Sequence, residues 1–459
     1  MSRSSRQNYP RFGWLDAVAE FGRAGIARRR PVTQPLTVPA AVTPTTTATK
    51  VSGGGANLAT VVSGGSGYAV NDEITLSGGS FVVSAILRVT AVSSGAVTTA
   101  AVVRAGVYTT VPSNAVAQAS TTGAGTGATF NVTWNGSVAS SIKDKTTVGA
   151  TSSSIKFTGT GPSDSGTTFY SNSQDIGTAC IWRFCSDADQ IDLRFIGGNM
   201  NYMVFVDGVR TSDTSYNTDD SGQVYIHTIN HGLGTPKARH YRIFAINRGF
   251  GGVNIPLTAT VWAPTERTRP LAWWLGDSYT FGTNFDDATM PLSMNHANIC
   301  AELLGWRVLP NGIGGKGWNS ASPDSPLERV NRTIPNLTEA PDYVVLNMGY
   351  NDSGGNMTTL ANNFDAAVAR LKVLLPRARI IVLGPHTPIG STTNLDNVKT
   401  TLQTRAAAAG VDFIDISNWV SSTNKSLYTN TDNTHPTRTG YAYLGARLAQ
   451  AIDPLLSAA

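Results

Sequence analysis

A chain of 459 residues is too long for one ordinary hydrophobic core, so two to four domains are expected. Its 46 glycines, its low share of charged residues (14%) and its tracts of Thr, Ser, Ala and Val favour many short strands joined by tight turns, at least in the first half. The net charge of +5 is mild and gathered at the N-terminus, which argues against a nucleic-acid partner; no apolar run reaches the roughly 18–20 residues that span a membrane.

Residues 1–50 form an N-terminal arm and linker. Positions 12–29 suit a short amphipathic helix, with Phe12, Leu15, Val18 and Phe21 near one face, while Asp16, Glu20 and Arg23 interrupt any secretory h-region. The Pro- and Thr-rich stretch "RRRPVTQPLTVPAAVTPTTTATK" reads as extended chain. The arm is either a disordered tail or a docking peptide that orders on a partner.

Residues 51–135 have a different texture. "TVVSGGSGYAVNDEITLSGG" and, about forty residues on, "AVVRAGVYTTVPSNAVAQAS" share a β-branched run, a glycine turn, a tyrosine and a second strand. A small β module with an internal duplication is expected, and its strand edges suit packing in an oligomer.

Residues 136–265 alternate apolar and polar residues with a period of two in "SSIKFTG", "TACIWRF", "QIDLRFI", "NYMVFVDG", "GQVYIHTI" and "HYRIFAI". That spacing suits a β-sandwich or jelly roll. Trp182, Tyr202 and Tyr225 are read as its core, with a sugar-stacking platform as the alternative. Cys180 and Cys185 should lie on one strand and point to opposite faces; with Cys300 they read as small buried hydrophobes, not a disulfide framework.

From residue 266 to 459 the rhythm changes. Apolar runs "LAWWL", "WRVLP", "DYVVLNM", "RIIVLG" and "VDFIDI" alternate with helix-like stretches, as in a parallel sheet covered on both faces. Ligands of such sheets bind at the carboxyl ends of the strands. Polar groups collect at those ends: Asp277 and Ser278 in "GDS", the glycine loop "NGIGGKG", "GYND", and Asp432 with His435 in "TDNTHP" just before the last helix.

Acyl transfer needs a hydroxyl, a base that takes its proton, an acceptor that orients the base, and donors for the developing oxyanion. Ser278, His435 and Asp432 can fill the first three roles, and backbone N–H groups with the Asn351 amide the fourth. "GIGGKG" also matches a dinucleotide fingerprint, but no acidic residue on a following strand completes it, and Gly317 after Lys316 breaks a Walker loop. Thr280 replaces the second glycine of a nucleophile elbow, which disfavours an ordinary α/β-hydrolase. His227, His231, His240, His296 and His386 lack ligand spacing with acids or cysteines, so no metal or cofactor is expected. His386 is read as a structural loop histidine, with a place in the substrate pocket as the alternative.

The ordered set "GDS", glycine loop, "GYND", "DNTHP" resembles the SGNH, or GDSL-type, hydrolase family over about residues 271–455. The resemblance implies a three-layer α/β domain with Ser278 as nucleophile, and Asp432 and His435 completing a triad. It also implies Ser278, Gly315 (or Gly314) and Asn351 in the oxyanion hole. Tyr279 departs from the family's leucine and bears on substrate preference. A β-sandwich before such a domain resembles carbohydrate esterases, and the Gly/Thr/Val-rich segment resembles modules of tailed-bacteriophage tail proteins. The resemblance therefore implies a virion tail fibre or tailspike, homotrimeric and attached to other tail proteins through residues 1–50. It would remove O-acetyl groups from a polysaccharide at the bacterial surface. A tail protein that grips glycan without turnover is the alternative. A chain-cleaving depolymerase is disfavoured, since Asp277 and Asp352 have no claim to be a pair of acting carboxylates.

Overall fold

The computed structural model describes residues 44–160, 179–198, 200–219, 222–246, 249–265, 269–284, 286–287 and 292–457. The helix expected at 12–29 lies outside them, as does most of the N-terminal arm.

The glycine-punctuated segment folds as an antiparallel sheet in the order Gly55–Ser66, Thr126–Asn135, Val116–Thr121, Glu73–Leu76, Ile86–Ser93, Ala96–Arg104. The sheet curls until its first and last strands lie side by side. Ile74, Leu76, Leu87, Val89 and Phe130 fill the interior. The two tyrosines of the repeated pattern do the same job. The buried Tyr68 hydroxyl accepts Ala128 N–H at 3.3 Å, and the buried Tyr108 hydroxyl accepts Ala85 N–H at 3.0 Å.

Two further antiparallel sheets share one core of Trp182, Phe184, Leu193, Phe195, Tyr202 and Phe250. One runs in the order Thr45–Val51, Val224–Asn230, Gln190–Ile196, Phe250–Pro256, Lys145–Val148. Its first strand corrects the reading of residues 45–50 as linker: Thr45 pairs with Asn230 and Val51 with Val224. The chain thus lays down one edge of this unit before it builds the small module. Trp182 and Tyr202 are fully buried and Tyr225 nearly so; they are core, not a stacking platform.

The second sheet runs Lys156–Thr158, Ala179–Ser186, Arg239–Ile246, Met200–Val206, Val209–Arg210. Strand Ala179–Ser186 opens with the apolar run Ala179–Trp182, whose two faces are both covered. Cys180, Trp182 and Phe184 point into the shared core, whereas Ala179 and Ile181 join Met203, Phe205 and Phe244 against the C-terminal domain. Cys180 and Cys185 lie on that one strand, Cys180 buried and Cys185 half-buried.

The C-terminal domain holds five parallel strands, numbered within it as β1 (Leu271–Gly276), β2 (Arg307–Gly312), β3 (Tyr343–Asn347), β4 (Arg379–Leu383) and β5 (Asp412–Ile414). Their order is β2-β1-β3-β4-β5. On β1, Leu271, Trp273 and Leu275 face one layer, and Ala272 and Trp274 the other. Helices α4 (Met357–Leu374) and α5 (Thr393–Ala409) cover the first face; α2 (His296–Leu304) and α7 (Arg438–Ser457) cover the second. Helix α4 shows how the sequence sets this up. Asn356 caps it by accepting Thr359 N–H at 2.9 Å, and Leu360, Phe364, Val368 and Leu371 form a buried stripe. Each of these side chains contributes about 1.5–3 kcal/mol of burial. In this strand order the chain reverses direction between β1 and β3, which opens a crevice at their carboxyl ends.

Candidate active site

Strand β1 ends at Gly276, and the chain turns at once into the single helical turn α1 (Ser278–Phe281). Asp277 caps that turn, its Oδ1 accepting Tyr279 N–H at 3.0 Å. Ser278 is thereby held at the first helical position, 7% exposed, at the mouth of the crevice. Asp277 itself is fully buried, and its Oδ2 has no hydrogen-bond partner. Burial pushes its carboxyl up to about 7, although the Tyr279 N–H pulls the other way.

The histidine arrives from the far end of the chain. His435 Nε2 lies 2.9 Å from Ser278 Oγ, and its Nδ1 lies 2.5 Å from Asp432 Oδ2. The tautomer that satisfies both contacts carries its proton on Nδ1 and offers Nε2 as acceptor. The other oxygen of Asp432 accepts the backbone N–H groups of Thr434 (2.9 Å) and His435 (3.0 Å), so one tight turn presents acid and imidazole together. Burial raises the Asp432 carboxyl, but the bonds from His435 and Thr434 outweigh it and hold the group below its ordinary range. Two acids from the segment after α1 brace this loop. Asp286 accepts Thr431 N–H and Oγ1–H at 2.9 and 2.7 Å, and Asp287 receives Arg438 at 2.6 and 3.0 Å.

The glycine loop follows β2. Lys316 N–H bonds to Ile313 O at 3.3 Å across a turn whose third residue, Gly315, has φ +71°, a conformation that favours glycine. A Cβ built on Gly314 would lie 3.9 Å from Ser278 Cβ, whereas one built on Gly315 would meet nothing within 4 Å. Asn351 Nδ2 donates to Lys316 O at 3.0 Å, tying the turn after β3 to this loop. An amide nitrogen has two hydrogens, so a second remains to be donated.

Asp352 is the residue whose part the sequence hides. It is buried, and its carboxylate accepts Trp318 N–H (2.8 Å), Asn319 N–H (2.7 Å) and Asn319 Nδ2–H (3.0 Å). It does not face Ser278 as an acting acid; it clamps the glycine loop. Gly317 makes room for it, since a Cβ there would come 2.5 Å from Asp352 Oδ2. The only signal was an acid beside Asn351.

Tyr279 and His386 meet in the protein interior, with the Tyr279 ring 5.8 Å from that of His435. Their rings stack at 3.9 Å with an interplanar angle of 5°, and the residues are 1% and 5% exposed. They line a small hollow with Thr387, Ile416, Val420 and Leu444. Both side chains are almost wholly buried, which fits the reading of His386 as a structural histidine. Burial drives the His386 imidazole well below its usual value, and His296 nearby adds to this. Among the described residues no three His, Cys, Asp or Glu side chains converge as metal ligands.

Residues 274–443 match the model of the GDSL-like lipase/acylhydrolase family. The C-terminal domain is a GDSL-like hydrolase domain. Its reaction class is carboxylic ester hydrolysis. Solved structures agree on the fold over a longer span. A family two carbohydrate esterase from Clostridium thermocellum, in complex with cellohexaose, is similar at TM-score 0.53 and 16% identity, covering 66% of this chain and 99% of that one. An acetyl xylan esterase from the rumen bacterium Butyrivibrio proteoclasticus is similar at 0.50 and 14%, covering 68% and 98%. So is a salicylyl-acyltransferase from a tetracycline biosynthetic pathway, at 0.53 and 14%, covering 68% and 98%. These coverages exceed the hydrolase domain alone, so the likeness takes in β structure that precedes it. Among curated proteins, none matches this chain in sequence.

Proposed function

We propose that the hydrolase domain is a serine esterase that removes O-acetyl groups from a polysaccharide through a Ser278–His435–Asp432 triad. The observation that carries this is the unbroken relay from Ser278 Oγ through His435 to Asp432, at 2.9 and 2.5 Å, at the carboxyl ends of a parallel sheet.

Ser278 Oγ attacks the acetyl carbonyl carbon while His435 Nε2 takes its proton. The carbonyl π electrons move to oxygen, giving an anion that the N–H groups of Ser278 and the glycine turn and the Asn351 amide can receive. Such donors contribute on the order of 3–4 kcal/mol each. The tetrahedral intermediate collapses, the C–O bond to the sugar breaks, and the imidazolium returns its proton to the departing sugar oxygen. Water, deprotonated by His435, then attacks the acetyl-enzyme and releases acetate with the serine restored. Asp432 holds the imidazole in the required tautomer and steadies its charged form.

The polysaccharide substrate is supported by the β-rich region joined to the hydrolase domain and by likeness of fold to carbohydrate esterases. Attachment to a virion tail through the arm that precedes Thr45, as a homotrimer acting at the bacterial surface, rests on the texture of residues 51–135. Light scattering on the purified full chain tests the trimer. For the chemistry, p-nitrophenyl acetate hydrolysis and acetate release from acetylated bacterial polysaccharide should both be lost in Ser278→Ala and His435→Ala. Activity persisting in those variants contradicts the triad. Glycan binding without acetate release favours a binding protein instead.

A further inference from the structure

Two phenols from separate catalytic blocks converge on the residue before the histidine. The Tyr279 hydroxyl, one position after the nucleophile, donates to Thr434 O at 2.6 Å. The Tyr350 hydroxyl, one position before Asn351, lies 3.2 Å from Thr434 Oγ1. Their rings meet edge to face at 5.9 Å and 66°. We propose that Tyr279 and Tyr350 are positioning residues, a latch on Thr434 that keeps His435 aligned with Ser278. This rests on the triad reading above.

The need for a latch follows from where the histidine sits. Thr431, Asp432 and Asn433 are exposed, so the turn has little packing of its own around the acid. The carbonyl that Tyr279 holds belongs to the peptide joining Thr434 to His435. A bond there fixes the plane from which the imidazole projects, independently of the Asp432 bonds. Side-chain placement within about 1 Å is worth up to roughly a hundredfold in rate. The Tyr279 ring is itself immobilised. It lies flat on His386, whose Nε2 is 3.2 Å from Asn347 Nδ2, and Asn347 Oδ1 lies 2.6 Å from His296 Nε2. All three are buried, so the phenol reaches Thr434 from a rigid foundation anchored on β3 and α2. A leucine at 279 could fill space but could not supply the hydroxyl.

The experiment compares wild type, Tyr279→Phe, Tyr350→Phe and the double variant on p-nitrophenyl acetate, with far-ultraviolet circular dichroism as a folding check. Tyr279→Phe keeps the stack on His386 and removes only the hydroxyl; kcat should fall about tenfold with KM changed less than twofold. Tyr350→Phe should fall less, about threefold, because its hydroxyl holds a half-exposed side chain. The double variant should lose less than the product of the two, since both grip one residue. Labelling of Ser278 by a phosphonofluoridate should slow in parallel with kcat, which a purely structural residue would not produce. Thr434→Val removes the Tyr350 contact without touching the buried stack and should match Tyr350→Phe. Wild-type kcat and labelling in Tyr279→Phe overturn the latch while leaving the triad standing. An inactive wild type overturns the triad reading and the latch with it.

Discussion

Replacing Asp277 by asparagine should change the slope of stability against pH as well as its level. The Asp277 carboxyl is fully buried beside the nucleophile, and burial raises it to about 7. Arg329 draws it down and Asp352 pushes it up, both more weakly than burial. In an unfolded chain an aspartate titrates near about 3.9. Below about pH 4 both states are protonated and the proton's contribution is fully present. Between about pH 4 and 7 the native state keeps a proton that the unfolded chain has released, so each unit of rising pH removes about 1.4 kcal/mol. Over three units the loss approaches about 4 kcal/mol, the order of magnitude to be tested. Asparagine has no such proton. Its amide hydrogens, placed where Oδ2 has no partner, add a penalty of about 1–3 kcal/mol that does not vary with pH. The stability of Asp277→Asn relative to wild type should therefore climb by up to about 4 kcal/mol from pH 4 to 7. Denaturant unfolding at half-unit pH steps, followed by tryptophan fluorescence from residues that include Trp273 and Trp274 on the adjoining strand, measures it. Parallel stability curves for the two proteins would refute the reasoning.

Gly317→Ala should lower kcat at least about tenfold, because its Cβ meets Asp352 Oδ2 at 2.5 Å and forces the clamp on the glycine loop apart; steady-state kinetics check this. Asp432→Asn should leave the fold intact and lower kcat by on the order of a thousandfold or more, since the wrong tautomer is then favoured; p-nitrophenyl acetate hydrolysis reads it. Trp182→Ala should cost about 3–5 kcal/mol in thermal or denaturant unfolding while leaving kcat and glycan affinity of the folded protein unchanged. Lost glycan affinity at unchanged stability would return that tryptophan to the surface. EDTA should leave the hydrolysis rate unaltered, because serine supplies the nucleophile.

Which parts of this were legible before folding follows from where the determining contacts lie. The five parallel strands could be read because a strand covered on both faces is apolar without interruption, as in "LAWWL", and the polar residues that end each strand mark the crevice side. The turn holding Asp432 and His435 was legible for the same local reason: three residues is one turn. Strand Thr45–Val51 was not, because its partner lies at Val224–Asn230 and nothing within "TTTATKV" points there. The role of Asp352 was not legible either, because an acid next to Asn351 does not reveal that it turns back onto Trp318 and Asn319. His386 follows β4 among loop residues, yet the fold seats it against Tyr279, a contact across more than a hundred positions. Trp182 was legible as core, but that the other face of its strand packs on the C-terminal domain was not, because those contacts lie far away in sequence.

The covalent intermediate is the most direct test. The full-length protein is mixed with p-nitrophenyl acetate, quenched in acid within milliseconds, digested, and its peptides are weighed. The account predicts an acetyl group on Ser278 that builds up transiently and is absent from His435→Ala. Turnover with the acetyl group on another residue, or with no acyl-enzyme while Ser278→Ala remains active, would contradict it.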